Sequence, residues 1–438
     1  MRRGFPPSLA GLLALALAAC TAYRPAPLPD APALAAATAP APAGLWSAGD
    51  VVAMALRDSP DLRAVRTQHL AAEAARRQAG PLPDPTIGGA ILPLVAGVGT
   101  TLAWNAALSE DLRGLVTLNA RREGAKAAQF QVDAQVLWQE WQTAAQARLL
   151  FVQIVGGDRA LAIQRESTAL FARRNARLQA ALARGDASLA SAAPDLAALQ
   201  GARALVGASE RQQLSRRHQL NALLGREPDA PLPLAPTAAV AEPDLARIDA
   251  RAAEISRRRP DLIALRLGYR AQEARVRLAV LMRFPVFNLG LAGGSDNSNV
   301  RNLGPQISTT VPIFDGNRGD VALQRATRSQ LRAEYQARLD AAYGQLRGAV
   351  SELKAAEAAL AAATAGLPGA RRARDQAQRA LDAGGIDELT YADLAGAYYA
   401  KALEVAQLGE AVLEQRLVIG AAAGDGLPAV QDLPDTAR

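Results

Sequence analysis

The chain has 438 residues, with 49 Lys and Arg against 42 Asp and Glu, half of its residues apolar and 4% aromatic. One cysteine excludes a disulfide-stapled domain, the apolar fraction excludes disorder throughout, and a mean hydropathy of zero excludes a bundle of membrane-spanning helices. The formal charge of +7 is spread among acids rather than gathered into basic runs, so the electrostatic footprint of a nucleic-acid-binding protein is missing.

The chain opens as an export signal. Arg2 and Arg3 form a basic start, Ser8 to Ala19 a short apolar stretch, and Leu17-Ala18-Ala19-Cys20 closes it. About 12 apolar residues fall short of the roughly 20 that a spanning helix needs, so residues 1–19 read as a cleaved signal peptide rather than an anchor. Small residues before the only cysteine resemble the bacterial lipoprotein box, in which Cys20 is acylated and becomes the new N-terminus. Thr21 stands where inner-membrane lipoproteins commonly carry Asp, so the resemblance implies the outer membrane. Residues 20–44 follow, rich in Ala and Pro, and read either as an extended tether or as a plain disordered leader.

The remainder is read as a duplicated unit. Pro60-Asp61-Leu62 recurs as Pro260-Asp261-Leu262, and the same offset pairs Arg66 with Arg266, Glu73 with Glu273 and Pro85 with Pro285. At nearly that shift, Ala181 to Gly185 answers Ala380 to Gly384, and Leu223-Leu224-Gly225 answers Ala422-Ala423-Gly424. The unit is far longer than a solenoid repeat, so it is a duplicated domain. The copies are 45–225 and 244–424, the proline-rich stretch 226–243 is their linker, and 425–438 is a C-terminal tail.

Each copy predicts a helix, two strands, a very long helix, a glycine break and a returning helix. The first helix is expected over about Asp50–Ala79 and its counterpart over about Pro243–Met282, each ended by proline. In the second copy Leu303, Pro305, Ile307, Thr309, Val311 and Ile313 alternate with Gly304, Gln306, Ser308, Thr310 and Pro312. Before them Phe287, Leu289 and Leu291 alternate with Asn288 and Gly290, and Gly293 to Arg301 reads as the hairpin connection. In the first copy, after an apolar stretch from Ile87 to Val95, Leu102, Trp104, Ala106 and Leu108 alternate with Thr101, Ala103, Asn105 and Ala107. The strands thus fall at about 86–110 and about 285–314, in segments of about 9 to 11 residues, the length of a tilted membrane strand. A small sheet packed on the helices would show the same alternation. Four strands cannot close a barrel, however, and an open edge cannot face lipid, so membrane strands would require several chains to share one barrel.

The long helices are expected over about Asp111–Arg184 and Asn317–Ala383, rods of roughly 100 Å. In the second, Leu339, Leu346, Leu353 and Leu360 recur every seven residues with Ala342, Ala349 and Ala356 between them, a coiled-coil seam. Gly156-Gly157 and Leu367-Pro368-Gly369 read as kinks or irregularities along these rods.

An enzyme lacks its residues here. His69 and His218 read as surface helix residues, and neither a metal-ligand set nor a phosphate-cradling loop is found. Trp138 and Trp141 read as packing residues, and Trp104 fits an interfacial aromatic belt.

The lipobox, the duplication, the stretch from Arg257 to Phe287 (RRRPDLIALRLGYRAQEARVRLAVLMRFPVF), the segment TTVPIFDGNRGDV from Thr309 to Val321 and the turn motifs ALARGDAS and ALDAGGID together resemble the TolC-like outer-membrane efflux proteins, in their lipoprotein branch. That resemblance implies a mainly α fold with membrane β structure. An antiparallel helical coiled-coil barrel would stand beneath a 12-stranded outer-membrane β-barrel shared by a homotrimer, four strands per chain. The implied function is the outer-membrane channel of a tripartite efflux system. It would be a passive duct, supplied by an inner-membrane pump through a periplasmic adaptor, with no cofactor besides the lipid on Cys20. The turns Arg184, Gly185, Asp186 and Ser188 and Gly384, Gly385 and Asp387 would be the adaptor-contact tips, although Asp186 and Asp387 read equally well as helix N-caps. Counting from Gly384, the family's two pore acids fall on Thr390 and Asp393, so the first acid is absent. Three Asp393 side chains around a three-fold axis would repel one another and draw cations to the constriction. The alternative is a lipid-anchored periplasmic coiled-coil scaffold without a pore. Scarce His, Cys and Met argue against soft-metal sites, and the exported substrate does not follow from the sequence.

Overall fold

A computed structural model describes residues 25–32, 34, 44–186, 188–310 and 313–427. The signal sequence, Cys20, most of the tether, Val311, Pro312 and the tail from 428 lie outside the described residues. One order of elements occurs twice. The first half holds α1 (Ala48–Asp58), α2 (Pro60–Ala79), β1 (Thr86–Leu92), β2 (Ala103–Asp111), α3 (Leu112–Arg184) and α4 (Leu189–Leu223). The second holds α5 (Leu245–Arg258), α6 (Pro260–Leu281), β3 (Val286–Ser295), β4 (Arg301–Thr310), α7 (Arg318–Asp382) and α8 (Glu388–Ala423).

The single helix expected before each strand pair is two helices. Ser59 and Arg259, each directly before a proline, are extended with ψ of 124° and 121°. The proline ring disfavours helix in its predecessor yet is well placed as the first residue of a new helix, so each chain segment stops and restarts there. Side chains start the other helices: Ser47 and Asp50 form a reciprocal box at α1, and Asp111, Asp244 and Asp387 accept backbone N–H bonds at α3, α5 and α8.

At 73 and 65 residues, α3 and α7 run about 110 and 100 Å. Neither expected interruption ends its helix: α3 runs on past Gly156-Gly157, and α7 runs on past Pro368 although that residue has no N–H to donate. The two adjacent glycines instead admit side chains from other helices. A Cβ at Gly156 would lie 2.8 Å from the Glu410 carboxylate, and one at Gly157 would meet Gln213 and Arg216.

The two larger cores among the described residues lie one in each half. The predicted seam forms the second: Ala342, Leu346, Ala349 and Leu353 are buried against Ile248, Ala252 and Ile255 of α5, Leu262 of α6 and Val412 and Ile419 of α8, with Leu339, Ala356 and Leu360 at its margin. Truncating fully buried Leu353 to Ala would cost about 3 kcal/mol. The first joins Val51, Met54 and Ala55 of α1 to Leu150, Phe151 and Ile154 of α3 and Leu220 of α4. The proline-rich stretch 226–243 is laid on this core: Trp46 N donates to Pro233 O at 2.6 Å, Ala235 N donates back to Trp46 O, and Leu232 and Leu234 pack beside them.

Among the long helices α3 packs on α4 and α8, and α8 packs on α7, so the row runs α4–α3–α8–α7. The strands form one antiparallel sheet in the order β1-β2-β3-β4. β1 is shorter than expected, seven residues, since Pro85 and Pro93 flank it. β3 extends to Ser295, so the hairpin connection shrinks to residues 296–300. No helix among the described residues is long and apolar enough to cross a membrane.

Candidate functional site: an open sheet and two helical tips

The pairing register sorts every strand residue onto a face. Ile87 and Ile91 stand beside Leu108 and Trp104, Leu108 beside Leu291, Leu289 beside Ile307, and Gly293 beside Leu303. One face is therefore apolar across all four strands. The other carries Asn105, Ala107, Asn288, Gly290, Gly304, Gln306 and Ser308. The apolar face is bare, with Ile87, Leu303 and Ile307 exposed by 83%, 82% and 71%. A sheet laid on the helices is not what forms: beyond its own strands, only β3 touches a helix, α3, appreciably. Among the described residues both outer strands, β1 and β4, have one edge without a partner strand.

At the far end the tips are built alike. Gly185 and Gly384 have φ of +82° and +74°, a left-handed conformation that glycine adopts without strain. At the first, Gly185 N donates to Leu182 O and Asp186 N to Ala181 O; at the second, Gly384 N donates to Leu381 O and Gly385 N to Ala380 O. Both are Schellman closures of the last helical turn. The two acids beside them differ. Asp387 is the cap of α8, accepting from Thr390 N at 2.8 Å, and the Thr390 hydroxyl, followed by that backbone N–H, holds its carboxyl below the usual range. Asp186 accepts from Arg184 Nε at 2.8 Å, and Ser188 directly precedes α4.

Asp393 has a partner that the sequence did not disclose. Arg174, on α3, donates to Asp393 of α8 at 2.9 Å and also pairs with Asp195 of α4. Arg174 and Asp195 are nearly buried, whereas Asp393 is 70% exposed. Nearby, Arg177 pairs with Glu388, and Leu170 packs with Ala392, Ala395, Tyr391 and Tyr399. Spacing could not announce Arg174, 219 positions from Asp393, because only the tertiary fold brings α3 against α8. Thr390 contributes its backbone N–H to the cap. The histidines are exposed helix residues as expected, His69 bonded to Asp133 at 2.6 Å and His218 to Asp229 at 3.1 Å. Among the described residues no cluster of three or more His, Cys, Asp or Glu could hold a metal.

The protomer thus presents a bare, open-edged sheet with one apolar face, carried on helical hairpins of about 100 Å. Residues 252–425 match the model of the outer membrane efflux protein family. Solved structures share the fold. The outer-membrane channel OprN superposes with a TM-score of 0.71 at 19% identity, covering 93% of this chain and 99% of its own. For the outer membrane protein VceC of Vibrio cholerae the values are 0.69, 16%, 86% and 96%, and for the CmeC outer membrane channel of Campylobacter jejuni 0.68, 15%, 88% and 87%. No curated protein sequence matches the chain. The resemblance read from the sequence is thus borne out at the level of family domain and fold.

Proposed function

We propose that this protein is the outer-membrane channel of a tripartite efflux system, a passive conduit and not an enzyme. Three chains would join β4 to β1 and close a 12-stranded barrel, and α7 to α4 beneath it would close a 12-helix periplasmic tunnel. The observation that carries this reading is the sheet: its exposed apolar face fits lipid, its small and polar face fits a water-filled lumen, and its two free edges are tolerable in lipid only if other copies pair with them. The helical row ends in the same way, at α4 and α7. A periplasmic scaffold has no use for such a sheet. Cys20 would carry the lipid, the turns at Gly185 and Gly384 would meet the adaptor that links the channel to an inner-membrane pump, and Asp393 with Thr390 would lie near the constriction.

The test is planar-bilayer conductance of the purified mature protein together with its mass in detergent. A trimer giving stable single-channel steps is expected. A monomer or dimer without conductance would overturn the shared barrel and favour the scaffold.

A further inference from the structure

Halfway along the rods, α3, α4 and α8 enclose a polar groove of about 340 Å³ lined by Gln153, Gln164, Gln213, Arg216, Glu410 and Glu414. The glycine pair of α3 makes room for it. Glu410 of α8 rests its carboxylate on Gly156, and its side chain is only 13% exposed. The groups around it compensate unevenly. Arg216 of α4 pairs with it at 3.3 Å and gives the other hydrogen of the same Nη1 to Gln153 O at 2.7 Å. Glu414, one turn along α8, is a like charge that accepts from Gln153 at 2.7 Å. On the other side of Gly156, Arg159 of α3 and Arg416 of α8 line the adjoining cavity, where α7 contributes Leu360 and the proline-rich stretch Pro236, Thr237 and Ala238, all uncharged. Arg416 is committed to Glu357 at 2.9 Å. A carboxylate so placed loses much of its hydration in exchange for one counter-ion, Arg216, that it shares with a backbone carbonyl, while Glu414 adds a like charge.

We propose that Glu410 makes the contact between α8 and α3 proton-responsive: the neutral acid favours the helix seated on Gly156, and ionisation favours parting of the helices, which returns the carboxylate to water. Acidification therefore tightens the middle of the rod and alkaline conditions loosen it. Burial pushes the Glu410 carboxyl above its ordinary value of 4.5, in agreement with this direction. A raised carboxyl pKa lowers folding stability above the folded pKa, and that loss is removed as pH falls toward the ordinary value.

The experiment compares melting temperatures of the mature wild-type chain and Glu410→Gln in detergent, from about pH 4 to about pH 8. Glu410→Gln should melt higher at neutral pH, and the gap should close on acidification. A gap that does not change with pH, or a variant that melts lower at neutral pH, would overturn the proposal. Hydrogen exchange at neutral pH locates the effect: residues 405–415 should open about tenfold less often in the variant, and unchanged exchange there would also overturn it. If Glu410→Gln does not fold, Gly156→Ala serves, since its Cβ displaces the carboxylate. Wild-type exchange in residues 405–415 of that variant at both ends of the pH range would refute the seat.

Discussion

Arg174 and Asp393 are joined at 2.9 Å across α3 and α8, and the same guanidinium holds Asp195 of α4, so one side chain ties three helices together near the tips. The two halves of this bridge are unequal. Arg174 and Asp195 are 13% and 12% exposed, so removing Arg174 leaves a nearly buried carboxylate unpaired. Arg174→Ala should cost about 3 kcal/mol, whereas Asp393→Ala, at a position 70% exposed, should cost under about 1 kcal/mol. Denaturant unfolding of the two variants measures the difference. In bilayers Arg174→Ala should give the larger and noisier conductance, because α4 and α8 both lose their tie to α3. Equal unfolding costs would show that Asp195 has another partner.

His69 on α2 and Asp133 on α3 predict a pH-dependent contact. The hydrogen bond to Asp133, followed by its charge, raises the His69 pKa above 6.5. A raised histidine contributes stability that is full below the unfolded value and lost as pH rises through the folded one. The melting-temperature difference between wild type and His69→Gln should therefore be larger at about pH 5.5 than at about pH 8.5. The reverse ordering would contradict the pairing.

Gly384 reverses the chain at the second tip with φ of +74°. Nothing lies within 4 Å of a Cβ built there, so Gly384→Ala tests backbone conformation alone. The cost should be about 1 kcal/mol, with faster hydrogen exchange confined to the ends of α7 and α8. Exchange that rises along the whole rod would mean that the tip nucleates the hairpin rather than only closing it.

The sheet faces give the sharpest contrast. Ile307 on the apolar face and Gln306 on the other are neighbours in β4 and paired with Leu289 and Gly290. In the proposed barrel Ile307→Arg places a charge toward hydrocarbon, at about 2–4 kcal/mol near the bilayer centre, while Gln306→Arg points toward the lumen. Outer-membrane yield and trimer resistance to heat should fall for Ile307→Arg and stay near wild type for Gln306→Arg. Equal behaviour would remove the lipid assignment of that face.

Periodicity made much of this fold legible. The two-residue alternation in β4 and the seven-residue recurrence of Leu339, Leu346, Leu353 and Leu360 are local patterns that fix which side chains share a face, so strands and seam could be placed before any contact was known. The glycines of the tips were legible for the same reason, since a left-handed turn needs a residue without a Cβ.

The sequence by itself determined the element types, their order in each half, the apolar face of the sheet and the places where the long helices turn back, because each of these follows from side-chain spacing or backbone freedom over a few residues. Only the tertiary structure decided what those elements meet. Gly156-Gly157 read as a kink or irregularity of the rod, and the packed helices make it a seat for side chains of α4 and α8. Asp393 acquires Arg174, and Glu410 is buried beside Arg216. Such partners lie tens to hundreds of positions apart along the chain, and no local spacing encodes a contact that exists only once separate helices have packed together.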